Sequence, residues 1–374
     1  MFPFFVEAYP WDVVSRSGQQ RLERLRGEVG MTGVAICASM PPFVEMRRLG
    51  NRVDVLRSAG GLLYHPQEGA FSSLRCQPIA ASIAEGLKAM PRALDVCDQL
   101  GLDVRFVASV LRCGGMARRY GELVAVNALG AKSQDCLCAS HDDVRAYARN
   151  LAGSFRRLRK DSQIVVSDMV SGCDDVLCAP RNCDVTSLDL TRQGLLTWCF
   201  CDACVETARG EGVDVDRVQR TVQQTIGNAI DHGVQDQCGD DSDGLMDPAV
   251  KAYWGTHLST VARLFEAIED AGAGEVVFAE ENTCDVWAFP DRSLQVFAGS
   301  LEAFGKLCGE CGRPVEIVFP AGLSMHGAGL TTALGAAIDA GVPCMTVRHL
   351  AMVPEKAIQP LKQAVRFARR AVEA

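Results

Sequence analysis

The chain has 374 residues, 48% hydrophobic and 22% charged, with a formal net charge of −8. Length and composition suit a folded chain of one large or two ordinary domains and exclude intrinsic disorder. The acidic balance also excludes a general nucleic-acid binder, which needs a concentrated basic surface to displace counterions.

The basic run Arg156-Arg157-Leu158-Arg159-Lys160 reads as a solvated helix end, where cations are favoured. No segment approaches the ~18–20 consecutive apolar residues of a membrane span. Phe4-Phe5-Val6 is interrupted by Glu7 and lacks the basic stretch that precedes a secretory signal. The expectation is a cytoplasmic protein. Seventeen cysteines agree with this, because secreted domains so rich in cysteine are usually smaller and carry an export signal. Cys37, Cys97 and Cys344 lie in apolar surroundings and read as small buried hydrophobes in a reducing compartment.

In chain order, short apolar runs alternate with polar helical stretches. The expected core strands are Phe4–Ala8, Gly33–Ala38, Asp103–Val110, Gln163–Asp168, Glu275–Glu280, Leu294–Ala298, Val315–Phe319 and Cys344–Arg348. Most are continuously apolar, as strands covered on both faces should be. Helices are expected at Pro91–Leu100, Asp142–Arg159, Asp214–His232, Leu301–Cys311 and Pro354–Glu373, with an extra strand at Gly61–His65. Eight strands alternating with helices, without the glycine-rich dinucleotide turn, predict an irregular α/β fold of the (β/α)8 TIM-barrel type. The whole chain, 1–374, is expected to be one domain. Residues 169–274 form a long helical insertion after the fourth strand, and the connection from Glu280 to Leu294 is short for a crossover helix.

A barrel builds its site from the loops at the C-terminal ends of its strands. Polar residues stand where this requires them: Glu7, Asp168, Glu280, Glu281, Arg348 and His349, with His326 in the loop after Phe319. Glycoside hydrolysis uses two carboxylates flanking the scissile bond. Asp168 with Glu280 or Glu281 is the expected catalytic pair, with Glu7 in reserve. No carboxylate ends the seventh strand, where Val315–Phe319 runs into Pro320-Ala321-Gly322. His65, Asn127, Trp198, His326, Arg348 and His349 are the candidate substrate-binding residues.

The segment Trp198-Cys199-Phe200-Cys201-Asp202-Ala203-Cys204 carries a second constellation. Cys199, Cys201 and Cys204 can supply three thiolates to zinc, with a fourth ligand from elsewhere. Cys136, Cys138, His141, Cys173, Cys178 and Cys183 are candidates for that place. The alternatives are that this segment opens a helix and packs a loop against the barrel, or that Cys201 and Cys204 form a redox pair.

Several segments together resemble a family of barrel proteins described as glycoside-hydrolase-like. They are Gly61-Leu62-Leu63-Tyr64-His65-Pro66, Asn127-Ala128-Leu129-Gly130, the stretch from Leu137 to Tyr147, and Cys199-Phe200-Cys201-Asp202-Ala203-Cys204 leading to Gly212-Val213-Asp214-Val215. The resemblance implies a TIM-barrel fold and a carbohydrate-directed task. The chain departs from it at Arg348-His349-Leu350, where relatives tend to carry a Tyr-Asn-Tyr-like element. A cation and an imidazole in that place suggest a more anionic substrate or a different task.

The leading expectation is therefore processing of a small-molecule or oligosaccharide glycoside by carboxylate acid/base catalysis. A second is a metal-dependent sugar isomerase, epimerase or lyase, with Glu7, Asp168, Glu280 and His349 holding a divalent ion in the barrel mouth. A third is a non-catalytic carbohydrate- or metabolite-binding barrel. None of them involves nucleic acid or a membrane.

Overall fold

The structure is a computed structural model and describes residues 2–49, 52–81, 84–167, 169, 172, 195, 197–232, 247–271, 276–280, 294–297, 315–319, 344–348, 350, 353 and 357–373. It is a mixed α/β fold on a parallel sheet. The first half of the chain runs β1 (Phe4–Ala8), α1 (Pro10–Val14), α2 (Arg16–Arg24), β2 (Gly33–Met40), β3 (Phe43–Leu49), β4 (Arg52–Ser58), β5 (Gly61–Leu62), α3 (Ala84–Gln99), β6 (Asp103–Ser109), α4 (Gly114–Arg119), β7 (Val124–Val126), β8 (Lys132–Leu137), α5 (Asp142–Leu158) and β9 (Gln163–Ser167). Then follow α6 (Asp202–Gly210), α7 (Val215–His232), α8 (Pro248–Asp270), β10 (Val276–Glu280), β11 (Leu294–Phe297), β12 (Val315–Phe319), β13 (Met345–Val347) and α9 (Ile358–Glu373).

The expected strands pair in parallel in the order β1, β2, β6, β9, β10, β11, β12, β13, and β13 pairs with β1 again. Their side chains alternate between two buried environments. Phe4, Val6 and Ala8 of β1, with Val34, Ile36 and Ala38 of β2, join Leu22, Leu25 and Leu361 of the helices in one core. The intervening residues face the other way. Phe5 lies over Gly33, where a Cβ would come within 2.3 Å of the Phe5 ring. The Arg105 guanidinium stacks 3.8 Å above the same ring. Among the described residues, no helix is long and apolar enough to cross a membrane.

Helix α5 shows why the expected helices form. Val144, Tyr147, Ala148, Leu151, Ala152 and Phe155 make a buried stripe at helical spacing, while Asp142–Asp143 and Arg156–Arg157 complement the dipole at its two ends. The basic run is the helix end it was expected to be, and Arg159 just beyond it pairs with Asp98 at 2.7 Å.

Three local expectations need correction. Helix α3 starts at Ala84 and carries Pro91 in its interior, because buried Ala89 and Met90 continue the apolar stripe of Ala93 and Cys97 across the proline. The run Gly61–His65 is a strand only at Gly61–Leu62, paired antiparallel with the end of β2. Two antiparallel hairpins, β3–β4 and β7–β8, were not anticipated. The expected helix at Leu301–Cys311 lies outside the described residues.

Candidate functional site

Two loops after neighbouring strands build the cysteine site. The first runs from β6 to α5 and contains the hairpin β7–β8, which ends directly at Cys138. Asn127 closes its turn: Oδ1 accepts from the amides of Leu129 and Ala131 at 3.0 and 2.9 Å, and Gly130 takes a left-handed φ of 81°. The second loop follows β9. Its residues Cys199–Cys201 lead into α6, with Cys201 at the N-cap. The amide of Phe200 donates to the Val126 carbonyl and the amide of Val126 to Cys199 Sγ at 3.3 Å, so the second loop is laid against β7.

This brings the sulfurs of Cys138, Cys199, Cys201 and Cys204 to within 4.8 Å of one another, all four residues buried. Among the described residues this is the only group of three or more metal-ligating side chains so placed. Cys138 and Cys204 lie 3.4 Å apart, sulfur to sulfur. A tetrahedral zinc with ~2.3 Å metal–sulfur bonds has sulfur–sulfur edges of about 3.8 Å. Shifts of about an ångström or less would bring the four sulfurs to that spacing.

The electrostatics agree. Hydrogen bonds from the other three cysteines hold Cys201 far below the usual thiol range, and the bond to Cys199 lowers Cys138. Burial raises Cys199, and the bond to Cys138 raises Cys204. Sulfurs this close cannot all be anionic without a cation between them. Backbone amides of Cys201 and Ser140 point at Cys199 Sγ and Cys138 Sγ, at 3.5 and 3.4 Å. Such N–H···S contacts disperse thiolate charge.

Helix α8 fixes the second loop from behind. Asp247 caps it by accepting from the Ala249 amide at 2.8 Å, and Pro248 occupies its first turn. Further along the helix Tyr253 Oη and His257 Nε2 both donate to the Cys199 carbonyl, at 2.7 and 2.9 Å. Burial pushes the His257 imidazole down to about 4, so it is a neutral donor. Phe200 stacks on Tyr253 with centroids 4.6 Å apart, and Trp198 stacks on Trp254 at 5.1 Å. Tyr253→Phe keeps the stack and removes one of two donors to the carbonyl. It should lower stability by about 1 kcal/mol, read as a small downward shift of the denaturation midpoint.

Of the sequence candidates for the fourth ligand place, Cys138 is in the cluster and His141 stands beside it, with Nε2 3.7 Å from Cys201 Sγ. Cys136 is buried apart, its sulfur meeting the Leu137 carbonyl and the Gly172 amide. Cys173, Cys178 and Cys183 lie outside the described residues. Cys201 and Cys204 do open a helix, as one alternative held, and they do so as members of the cluster.

The strand ends form a second locus. Val6 and Val347 are in register on β1 and β13, so Glu7 and Arg348 emerge side by side. Arg348 Nε lies 3.5 Å from Glu7 Oε1, with the Glu7 side chain 6% exposed and that of Arg348 29% exposed. Tyr9 and Trp11 stack at 4.6 Å just beyond β1, and Phe43 at the foot of the β3–β4 hairpin stacks on Tyr9 at 5.7 Å.

Four of the other sequence candidates lie within the described residues. His65 is solvent-exposed after β5. Asn127 is 1% exposed and its oxygen is taken up by the hairpin turn. Trp198 belongs to the aromatic backing of the cysteines. Glu280 closes β10 in register with Val296. Asp168, Glu281, His326 and His349 lie outside the described residues.

No known protein-family model matches the chain, and no curated protein matches it in sequence. Solved structures do resemble it in fold. The catalytic domain of β-amylase from Paenibacillus polymyxa superposes with a TM-score of 0.57 at 11% identity, over 98% of both chains. α-L-Fucosidase isoenzyme 2 from Paenibacillus thiaminolyticus gives 0.53 at 10% identity, over 98% of this chain and 49% of that one. β-Galactosidase from the psychrophilic Marinomonas ef1 gives 0.53 at 10% identity, over 99% of this chain and 60% of that one. The chain thus spans about half the length of the fucosidase and three fifths of the galactosidase.

Proposed function

We propose that this protein is a carbohydrate-processing enzyme on a (β/α)8 barrel, hydrolysing a glycoside by carboxylate acid/base catalysis. The observation that carries the reading is the charged pair of buried Glu7 and partly exposed Arg348 at the C-terminal ends of two adjacent parallel strands, where barrels place their chemistry. The β-amylase, fucosidase and β-galactosidase that share its fold lend support to the substrate class. Asp168 and Glu280 or Glu281 are proposed as the acid and the base or nucleophile, with His326 and His349 orienting the sugar. A separation of about 5–5.5 Å between the two carboxyls suits a retaining course and about 6.5–9.5 Å an inverting one.

We further propose that Cys138, Cys199, Cys201 and Cys204 hold zinc. The donor set fits it: four soft sulfur ligands, buried, with no position left open for substrate. Such an ion supplies a cross-link. The residues themselves tie the loop after β6 to the loop after β9, and α8 holds the Cys199 carbonyl in place.

A panel of nitrophenyl glycosides tests the first reading, run beside aldose and ketose substrates scored for isomer formation. Nitrophenol release is the expected result. Isomerisation without hydrolysis would move the protein to the sugar-isomerase class, and tight binding without either product would make it a binding protein.

A further inference from the structure

Two stacked tryptophans offer a surface that suits a sugar ring. We infer that Trp198 and Trp254 form an aromatic subsite for a pyranose unit of the substrate; the inference rests on the carbohydrate reading above and deepens it.

The two indoles are nearly parallel, with planes 14° apart and centroids 5.1 Å apart, and both are half-buried. Their surroundings differ. Trp198 packs against the apolar core that α7 shares with Phe200 and Tyr253, and the rings of Tyr253 and His257 stand 6.3 and 6.4 Å away. Among the described residues, Trp254 joins none of the hydrophobic cores, and its ring neighbours are Trp198 and His257. A large apolar side chain held half-exposed outside any core adds little to folding, and a flat indole in that position is a contact surface.

The polar edges of the rings are free as well. Among the described residues neither indole N–H donates a hydrogen bond to the protein, and neither is a buried unpartnered donor, so both reach water. A pyranose supplies the complement. Its C–H bonds settle on an aromatic face, and its hydroxyl oxygens accept from an indole N–H at the edge.

The position fits the proposed chemistry. Trp198 forms an antiparallel bridge with Gly172, which lies four residues after Asp168 in the chain. The platform is therefore tied to the loop that follows β9, at the end of the strands where barrels bind substrate. On its other side Trp198 directly precedes Cys199, whose sulfur is held by the Val126 amide and whose carbonyl is held by Tyr253 and His257. A platform fixed before the sugar arrives loses little freedom on binding.

The test is calorimetric titration of the full chain with maltotriose, cellotriose and mannotriose, followed also by tryptophan emission. Wild type is expected to bind at least one of them, with emission moving to the blue as the sugar displaces water from the indoles. Trp254→Ala should weaken that binding about tenfold or more, as truncating a tryptophan anchor does, and diminish the blue shift at saturation. Trp254→Phe keeps a ring face but lacks the N–H, and should weaken binding about threefold, the loss of one hydrogen bond. It also serves if Trp254→Ala fails to fold. Binding without a blue shift, or binding that both substitutions leave unchanged, overturns the inference and leaves the carbohydrate reading standing. Nitrophenol release by a protein that binds none of the three sugars does the same. Neither binding nor nitrophenol release overturns both.

Discussion

Cys201→Ser is expected to abolish the proposed zinc binding and to give a protein that denatures at a clearly lower temperature. A serine hydroxyl is a hard, protonated oxygen, and a buried zinc site built on sulfur gains little from it. Structural zinc contributes on the order of 10 kcal/mol of apparent binding free energy at neutral pH, and that energy is also folding energy. Losing a substantial part of it from a chain of this size should lower the midpoint by more than about 5 °C. Cys138→Ser should behave alike, since Cys138 closes the same cluster from the other loop. Cys97→Ser is the control: Cys97 is buried in the main core and outside the cluster, and burial pushes its thiol up to about 12. That variant should keep a full zinc equivalent by atomic spectroscopy. A Cys201→Ser protein with undiminished zinc would remove Cys201 from the site.

The second large effect concerns turnover. With Asp168 as one of the two catalytic carboxylates, Asp168→Asn should lower kcat by about 100- to 10,000-fold, the range for losing a positioned acid or base. Its circular dichroism and zinc content should not change. Glu280→Gln and Glu281→Gln separate the partner from the bystander: one should match the loss and the other should not. Glu7→Gln should show a smaller drop with a rise in KM, because it releases Arg348 from its anchor. Full activity in Asp168→Asn would dismiss the assigned pair.

Much of the fold was legible from continuous apolar runs. Phe4–Ala8, Gly33–Ala38 and Gln163–Ser167 are buried along their length, or nearly so, and hydrophobicity alone marks such strands. The hairpin β3–β4 escaped because its two seven-residue strands, Phe43–Leu49 and Arg52–Ser58, are rich in charge. A signal did exist: they are separated by the dipeptide Gly50-Asn51, a common two-residue hairpin connection. At the cysteine cluster, the Cys-x-Cys-x-x-Cys spacing announced three of the four members. The fourth could be narrowed only to several candidates, because Cys138 reaches the others through the β7–β8 hairpin and the contact of β7 with Cys199. No sequence spacing encodes that. The turn role of Asn127 was likewise hidden, although asparagine and glycine are both common in such turns.

X-ray absorption at the zinc edge tests the central claim most directly. Four buried thiolates predict one zinc per chain with four sulfur neighbours at about 2.3 Å and no nitrogen or oxygen bound to the metal. Mixed coordination containing nitrogen or oxygen, or a zinc-free protein whose four cysteines are joined as disulfides, would contradict it.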